Sequence, residues 1–161
     1  TLGMLINKSL KNIYAFIMKF KIGYPKEKDE EEILRNRLKI DPIETLTPVI
    51  DLEEIIKLQE KVNNVHIDDL ILTYITTLVS ATRRDPRIKL GSSPRGSLSL
   101  MQTAKAKAFL EGRDYVIPLD VQQMLPHVLP HRIILDSNTL LKGITAQEAI
   151  SQIRQSVAIP T

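Results

Sequence analysis

A mainly α, helical-bundle fold is what this sequence predicts, and three observations carry the prediction. Leu, Ile and Ala recur at spacings of three and four, aromatic residues make up only 4% with no Trp, and prolines punctuate the periodic segments. At 161 residues, 43% of them hydrophobic, the chain can support one modest core with appendages. We divide it into an N-terminal arm, 1–25, a helical body, 26–135, and a C-terminal helical extension, 136–161.

The arm reads in two ways. Ile6, Leu10, Ile13, Ile17 and Phe20 recur at helical spacing, whereas Phe16, Met18, Phe20 and Ile22 alternate as in a single strand. Gly23-Tyr24-Pro25 ends either element, because Pro25 lacks a donor and biases Tyr24 away from helix. Beyond it, residues 28–39 place Ile33, Leu34 and Leu38 on one face, and 41–48 reads as a connector. Asp51 and Glu54 form a capping-box pattern that opens a helix to Val62, expected to bury Leu52, Ile55 and Ile56. The next helix, 67–84, carries the strongest core stripe: Leu70, Ile71, Tyr74, Ile75, Leu78 and Val79.

Asp85-Pro86 stops that helix. Ser93-Pro94 starts another, which runs to Glu111, with Gly112 placed to cap its end. Leu98, Met101, Ala104 and Ala108 form its predicted apolar side, the alanines permitting close approach of a neighbour. Tyr115-Val116 reads as an extended link to a helix at Pro118 that Pro126 and Pro130 kink or interrupt. Thr145 and Glu148 repeat the capping-box spacing ahead of Ala149, Ile150, Ile153 and Val157.

Composition removes several classes of chemistry. With no cysteine, disulfides, zinc-thiolate centres and thiol nucleophiles are excluded, and an intracellular, cytoplasmic location is expected. Residues 70–82 are the longest uncharged stretch in the middle of the chain, far short of a membrane span, so no membrane partner is expected. Five lysines and no acid fall in residues 1–26, which leaves 17 basic against 19 acidic residues elsewhere. The basic character therefore belongs to the arm.

Four clusters were weighed for function. Gly91-Ser92-Ser93-Pro94-Arg95-Gly96-Ser97 is a small-residue loop feeding a helix N-terminus, where free N–H groups and a forked guanidinium suit a phosphate. It imitates a P-loop but fails as one: Ser97 stands where the lysine belongs and Pro94 removes a donor. An ordinary capped turn and a phosphate contact both remain open for it. His127 and His131 are four apart, but Pro130 intervenes and no carboxylate supports them, so no metal site is expected. The acidic run 29–32 suits a solvated first turn, and Arg83, Arg84 and Arg87 complement a helix C-terminus. No nucleophile has a base beside it, and no catalytic residue is assigned.

The order of certain motifs adds what their types do not. The run from Asp85 to Leu100, then Ala104-Lys105-Ala106, Gly112-Arg113-Asp114-Tyr115-Val116 and His131-Arg132, closely resembles the lid of MoxR-type AAA+ ATPases. Further likeness lies in Phe20 to Pro25 and in Leu140 to Pro160, so the resemblance covers about residues 16–160. It implies an AAA+ lid-type bundle that closes over a nucleotide held by a separate α/β core bearing the Walker motifs. Arg95 matches the family's sensor-2 arginine, a contact to ATP phosphates, and Ser93 and Pro94 beside it are implied cofactor-binding residues. The implied cofactors are ATP and Mg, only in the context of a complete core and not bound by the chain alone. Implied partners are that core and neighbouring subunits in a homo-oligomer, a hexamer in the family, and also von Willebrand factor A domain proteins. The implied work is chaperone-like remodelling or metal-centre maturation.

Two departures qualify the likeness. Where the family has Asp-Arg-Phe, this chain reads Tyr14-Ala15-Phe16, so the arginine acting on a neighbour's ATP is missing. Residues 16–22 would match the last strand of the core; without its sheet such a strand is expected to turn helical, pair with another copy or become disordered. Ile117 stands where the family has a capping Thr, which should loosen one helix start. A small helical DNA-binding domain is the alternative from another class; the slightly acidic body and scattered arginines speak against it.

Overall fold

The computed structural model describes residues 16–38 and 41–160. The expectations for Ile6, Leu10 and Ile13, for Lys8 and Lys11, for Tyr14-Ala15 and for Lys39 lie outside the described residues. Helices α1 (Glu27–Asn36), α2 (Leu52–Asn63), α3 (Asp69–Arg84), α4 (Pro94–Leu110), α5 (Pro118–Val128), α6 (Ser137–Leu141) and α7 (Ala146–Ser156) dominate, all but the short α6 as the sequence pattern predicts. The minimal sheet of β1 (Ile88–Leu90) and β2 (Ile134–Leu135) was not predicted. These strands pair antiparallel, Ile88 opposite Leu135 and Leu90 opposite Ile134. They are too short to show an alternation.

The described residues fall into two units. One comprises 16–19 with 60–160; the other comprises 20–59. In the first, α4 packs most extensively on α5, and α3 and α7 close the core around them. Ile71, Tyr74, Ile75, Leu78 and Val79 of α3 meet Leu100, Ala104 and Ala108 of α4, Val121, Leu125 and Val128 of α5, and Ala149, Ile150 and Ile153 of α7. The segment read as a C-terminal extension thus contributes α7 to the same core. Burial of such side chains stabilises by roughly 1.5–3 kcal/mol each, an upper estimate for a chain collapsed before folding.

Two predicted stripes are corrected. Leu70 is 56% exposed, and Leu98 is 57% exposed while Leu100 is fully buried. On α4 the buried face runs Gly96, Ser99, Leu100, Thr103, Ala104 and Ala108, because Gly and small hydroxyl residues, which a hydrophobicity count passes over, lie against neighbouring elements. Thr103 turns its hydroxyl back to the Ser99 carbonyl at 2.9 Å, so its burial leaves no donor unsatisfied.

The helix ends follow the predicted chemistry. The α4 helix closes in a Schellman arrangement: Gly112, at φ +76°, lets its N–H reach the Phe109 carbonyl at 3.0 Å and the Arg113 N–H reach Ala108 at 2.9 Å. Thr145 and Glu148 cap α7 reciprocally, as do Asp51 and Glu54 at α2. Pro118 opens α5 and Pro126 lies inside it, whereas Pro130 begins a separate 3₁₀ turn, Pro130–Arg132. At α5 the start is not loose despite Ile117: the Asp120 carboxylate accepts the Ile117 N–H at 2.9 Å and a fork of two bonds from Arg113, at 2.8 and 2.6 Å. An extended link does occur at Tyr115, whose neighbours Asp114 and Val116 bracket His66 in a parallel bridge.

The second unit contains α1, a 3₁₀ turn at Pro42–Thr45 and most of α2. Neither helix has a buried residue. Leu52, Ile55 and Ile56, expected inside, are exposed, because an amphipathic pattern calls for a partner surface without supplying one. Gly23, at φ +78°, makes the predicted turn before α1.

Residues 16–22 form no strand and no helix. The helix expected for this stretch is not what 16–19 adopt, and neither is the single strand that the family resemblance implies. These residues lie on the lid side: Lys19 donates its N–H to the His127 carbonyl at 2.9 Å, and Met18 packs against the core. Side-chain donors from the 3₁₀ turn, His131 and Arg132, satisfy the Phe16 carbonyl.

Candidate phosphate-contact site

The loop ahead of α4 is built on the end of α3. Ser92 is buried and donates its N–H to the Thr82 hydroxyl at 3.0 Å, while its carbonyl accepts from Arg83 Nε at 2.7 Å. A Cβ on Gly91 would stand 2.7 Å from the Arg83 backbone N and Cα. One on Gly96 would stand 2.1 Å from Ser92 Oγ and 3.3 Å from Leu129 Cδ2. The two glycines that imitate a P-loop are therefore required by loop-on-helix packing.

Ser93 is the N-cap residue of α4, with extended backbone and no side-chain cap bond; Pro94 follows at the first helical position and Arg95 at the second. All three are exposed. No hydrogen bond or ion pair holds the Arg95 side chain among the described residues. One turn further along α4, Ser99 accepts a bond from Arg132 Nη2 at 3.0 Å. Burial, and next the like charge of Arg95, hold the Arg132 guanidinium below its ordinary value. Two cations thus lie near the positive end of one helix, a setting that favours an anion.

The remaining candidates fall elsewhere. His131 is buried; its Nε2 donates to the Phe16 carbonyl at 3.0 Å, and its Nδ1 has no hydrogen-bond partner among the described residues. Burial pushes the imidazole below its ordinary value, the Phe16 carbonyl opposing and Arg132 and Lys19 adding to the shift. Among the described residues no group of three His, Cys, Asp or Glu side chains gathers in a way that could hold a metal ion. Arg87 forks onto Asp85, holding that carboxyl below its usual range, and Arg83 is engaged by Ser92. Of the acidic run, Glu31 pairs with Arg35 on an exposed face of α1.

Residue reasoning missed the Arg132 contacts and the Arg113–Asp120 pair. Arg132 carried a signal only as half of a motif, and Asp120 looked like any acid in a first turn. Both depend on contacts that no spacing records.

The class of this bundle comes from its sequence match. Residues 80–153 match the family model of the AAA lid domain. The chain is 45% identical over 145 residues to YeaC, an uncharacterised protein of Bacillus subtilis, and 32% identical over 154 residues to the chaperone MoxR1 of Mycobacterium tuberculosis. Each match covers 90% of this chain, but only 45% and 40% of the relative. The crystal structure of a candidate ATPase from Cytophaga hutchinsonii superposes with a TM-score of 0.83 and 28% identity, over 94% of this chain and 49% of that one. The chain carries an AAA lid domain and over most of its length is similar to MoxR-type AAA+ proteins. It spans less than half the length of these relatives. No helix among the described residues is long and apolar enough to cross a membrane.

Proposed function

We propose that this chain is the nucleotide-sensing and subunit-contact module of an ATP-driven remodelling machine, working on a bound nucleotide held by a separate α/β core. The observation that supports this most is Arg95: exposed, uncommitted and fixed in the first turn of α4 by a loop that cannot shift without breaking its packing on α3. A guanidinium so placed can fork onto phosphate oxygens and report their presence through the rigid helix behind it. Ser93 and Pro94 define the backbone start that aims it.

Mg-ATP enters this reading as a ligand of the complete assembly, Arg95 meeting its phosphates and the core supplying the metal site. The chain's own residues orient and stabilise charge; they supply no nucleophile or base. The assembly is a homo-oligomer, a hexamer by family analogy, acting in chaperone-like remodelling or metal-centre maturation, with von Willebrand factor A domain proteins as partners in the cytoplasm.

The test is Mg-ATP turnover by the chain alone and joined to a MoxR-type α/β core. The chain alone should show none. The joined protein should turn over, and Arg95→Ala should slow it by at least about tenfold, or about 1.4 kcal/mol of barrier. Turnover by the chain alone, or an unchanged rate in the joined Arg95→Ala variant, sinks the proposal.

A further inference from the structure

Arg132 is 7% exposed, yet its guanidinium spans three parts of the fold. Its Nε donates to the Val128 carbonyl at 3.1 Å, anchoring the fork to the end of α5. From there Nη2 reaches the Phe16 carbonyl at 2.7 Å and the Ser99 hydroxyl at 3.0 Å. Ser99 is four residues after Arg95, hence on the same face of α4 one turn along. Phe16 begins the segment 16–19 that Lys19 and His131 also fasten to the lid. One atom of one buried side chain therefore joins the helix turn next to Arg95 to the chain entering the lid.

We propose that Arg132 is a positioning residue that couples anion contact at Arg95 to the docking of residues 16–19. The inference rests on the phosphate reading of Arg95. An anion held by Arg95 steadies the first turns of α4 and with them Ser99, whose hydroxyl holds Arg132 Nη2 in place to bond the Phe16 carbonyl. Linkage then makes the effect mutual: docking of 16–19 raises anion affinity by the factor by which the anion stabilises docking.

The experiment uses the full 161-residue chain, with inorganic tripolyphosphate as the probe and the exchange rate of the Lys19 amide as the readout. That N–H is bonded to the His127 carbonyl, so it reports docking directly. In the wild type, saturating tripolyphosphate should slow Lys19 exchange about fivefold, the lower end of ordinary coupling. Arg132→Lys should speed basal Lys19 exchange and lose the slowing, because an ammonium cannot replace a fork, and tripolyphosphate should bind about fivefold more weakly. Ser99→Ala is the second variant, should Arg132→Lys fail to fold. It severs only the link to the Arg95 turn, so basal exchange should stay as in the wild type while the slowing disappears.

A slowing that persists in Ser99→Ala, or basal exchange unchanged in folded Arg132→Lys, overturns the coupling and leaves the phosphate reading standing. Tripolyphosphate binding that survives Arg95→Ala overturns the phosphate reading itself, and the coupling with it.

Discussion

Gly96→Ala should destabilise the lid, and the size of the effect follows from where one methyl group would go. Its carbon would sit 2.1 Å from Ser92 Oγ, well inside the 3.4 Å at which ordinary contact begins. Ser92 is only 1% exposed and its backbone is held at both ends, by Thr82 and Arg83, so the hydroxyl must rotate within the interior. Rotation loses only a long bond to the Ser93 carbonyl at 3.4 Å, but Ser92 Cβ and Leu129 Cδ2 remain at 3.3 Å and must also give way. Overpacking of this kind costs about 1–3 kcal/mol, against which Ala returns up to about 1 kcal/mol of helix propensity. The net is a loss of up to about 2 kcal/mol, or up to about 8–16 °C in the unfolding midpoint of a unit this size. Ser92→Ala removes the offending oxygen. In a double-mutant cycle followed by circular dichroism, Gly96→Ala should cost little in that background, with a coupling of about 1 kcal/mol. A cycle showing no coupling would refute the assignment of Gly96 to packing against Ser92.

Three further outcomes are expected. Gly91→Ala should cost about 2–3 kcal/mol in urea unfolding, and Arg83→Ala should not rescue it, since the obstruction at 2.7 Å includes the α3 backbone. Asp120→Ala should lower the thermal midpoint far more than Glu31→Ala, because it strands Arg113 and the Ile117 N–H together whereas Glu31 is exposed; equal shifts would contradict this ranking. Because His131 is held below its ordinary value, the unfolded chain takes up its proton more readily; its contribution to stability is complete above about pH 6.5 and is lost as pH falls through the lowered value. The urea midpoint of His131→Gln should consequently depend less on pH than that of the wild type between about pH 6.5 and 5.

Much of the fold was legible because helices announce themselves locally. Caps at Thr145 and Asp51, the Gly112 terminator and the α3 stripe from Ile71 to Val79 need only neighbours in sequence, and all appear where periodicity and capping chemistry place them; only Leu70 at the head of that stripe is exposed. What failed was everything set by partners. The α4 stripe was misplaced because Gly96 and Ser99 are buried against other elements, and the α2 face was overcalled because amphipathicity states a need for cover. The β1–β2 pairing is five residues in all, too few for a period to show.

The candidate site divides along the same line. Read alone, Gly91 and Gly96 resembled a phosphate cradle, yet the structure gives both a packing reason that holds with no ligand present. That removes the backbone half of the P-loop likeness and leaves the side-chain half, Arg95, which nothing in the packing explains: it is exposed, and Arg132 nearby adds like charge. An exposed arginine at a helix's positive end gains no stability from the helix dipole, so the placement costs a little free energy until an anion arrives. Under the proposed reading that cost is the sensing device. Phosphate would be rewarded by relief of repulsion as well as by its own bonds, and the rigid loop would pass the change into α3 and α4 instead of absorbing it locally. Arg95→Ala should therefore raise the unfolding midpoint of the isolated chain slightly at low salt while weakening tripolyphosphate binding. A lowered midpoint would mean that Arg95 is held for structure, and the sensing argument would lose its physical basis.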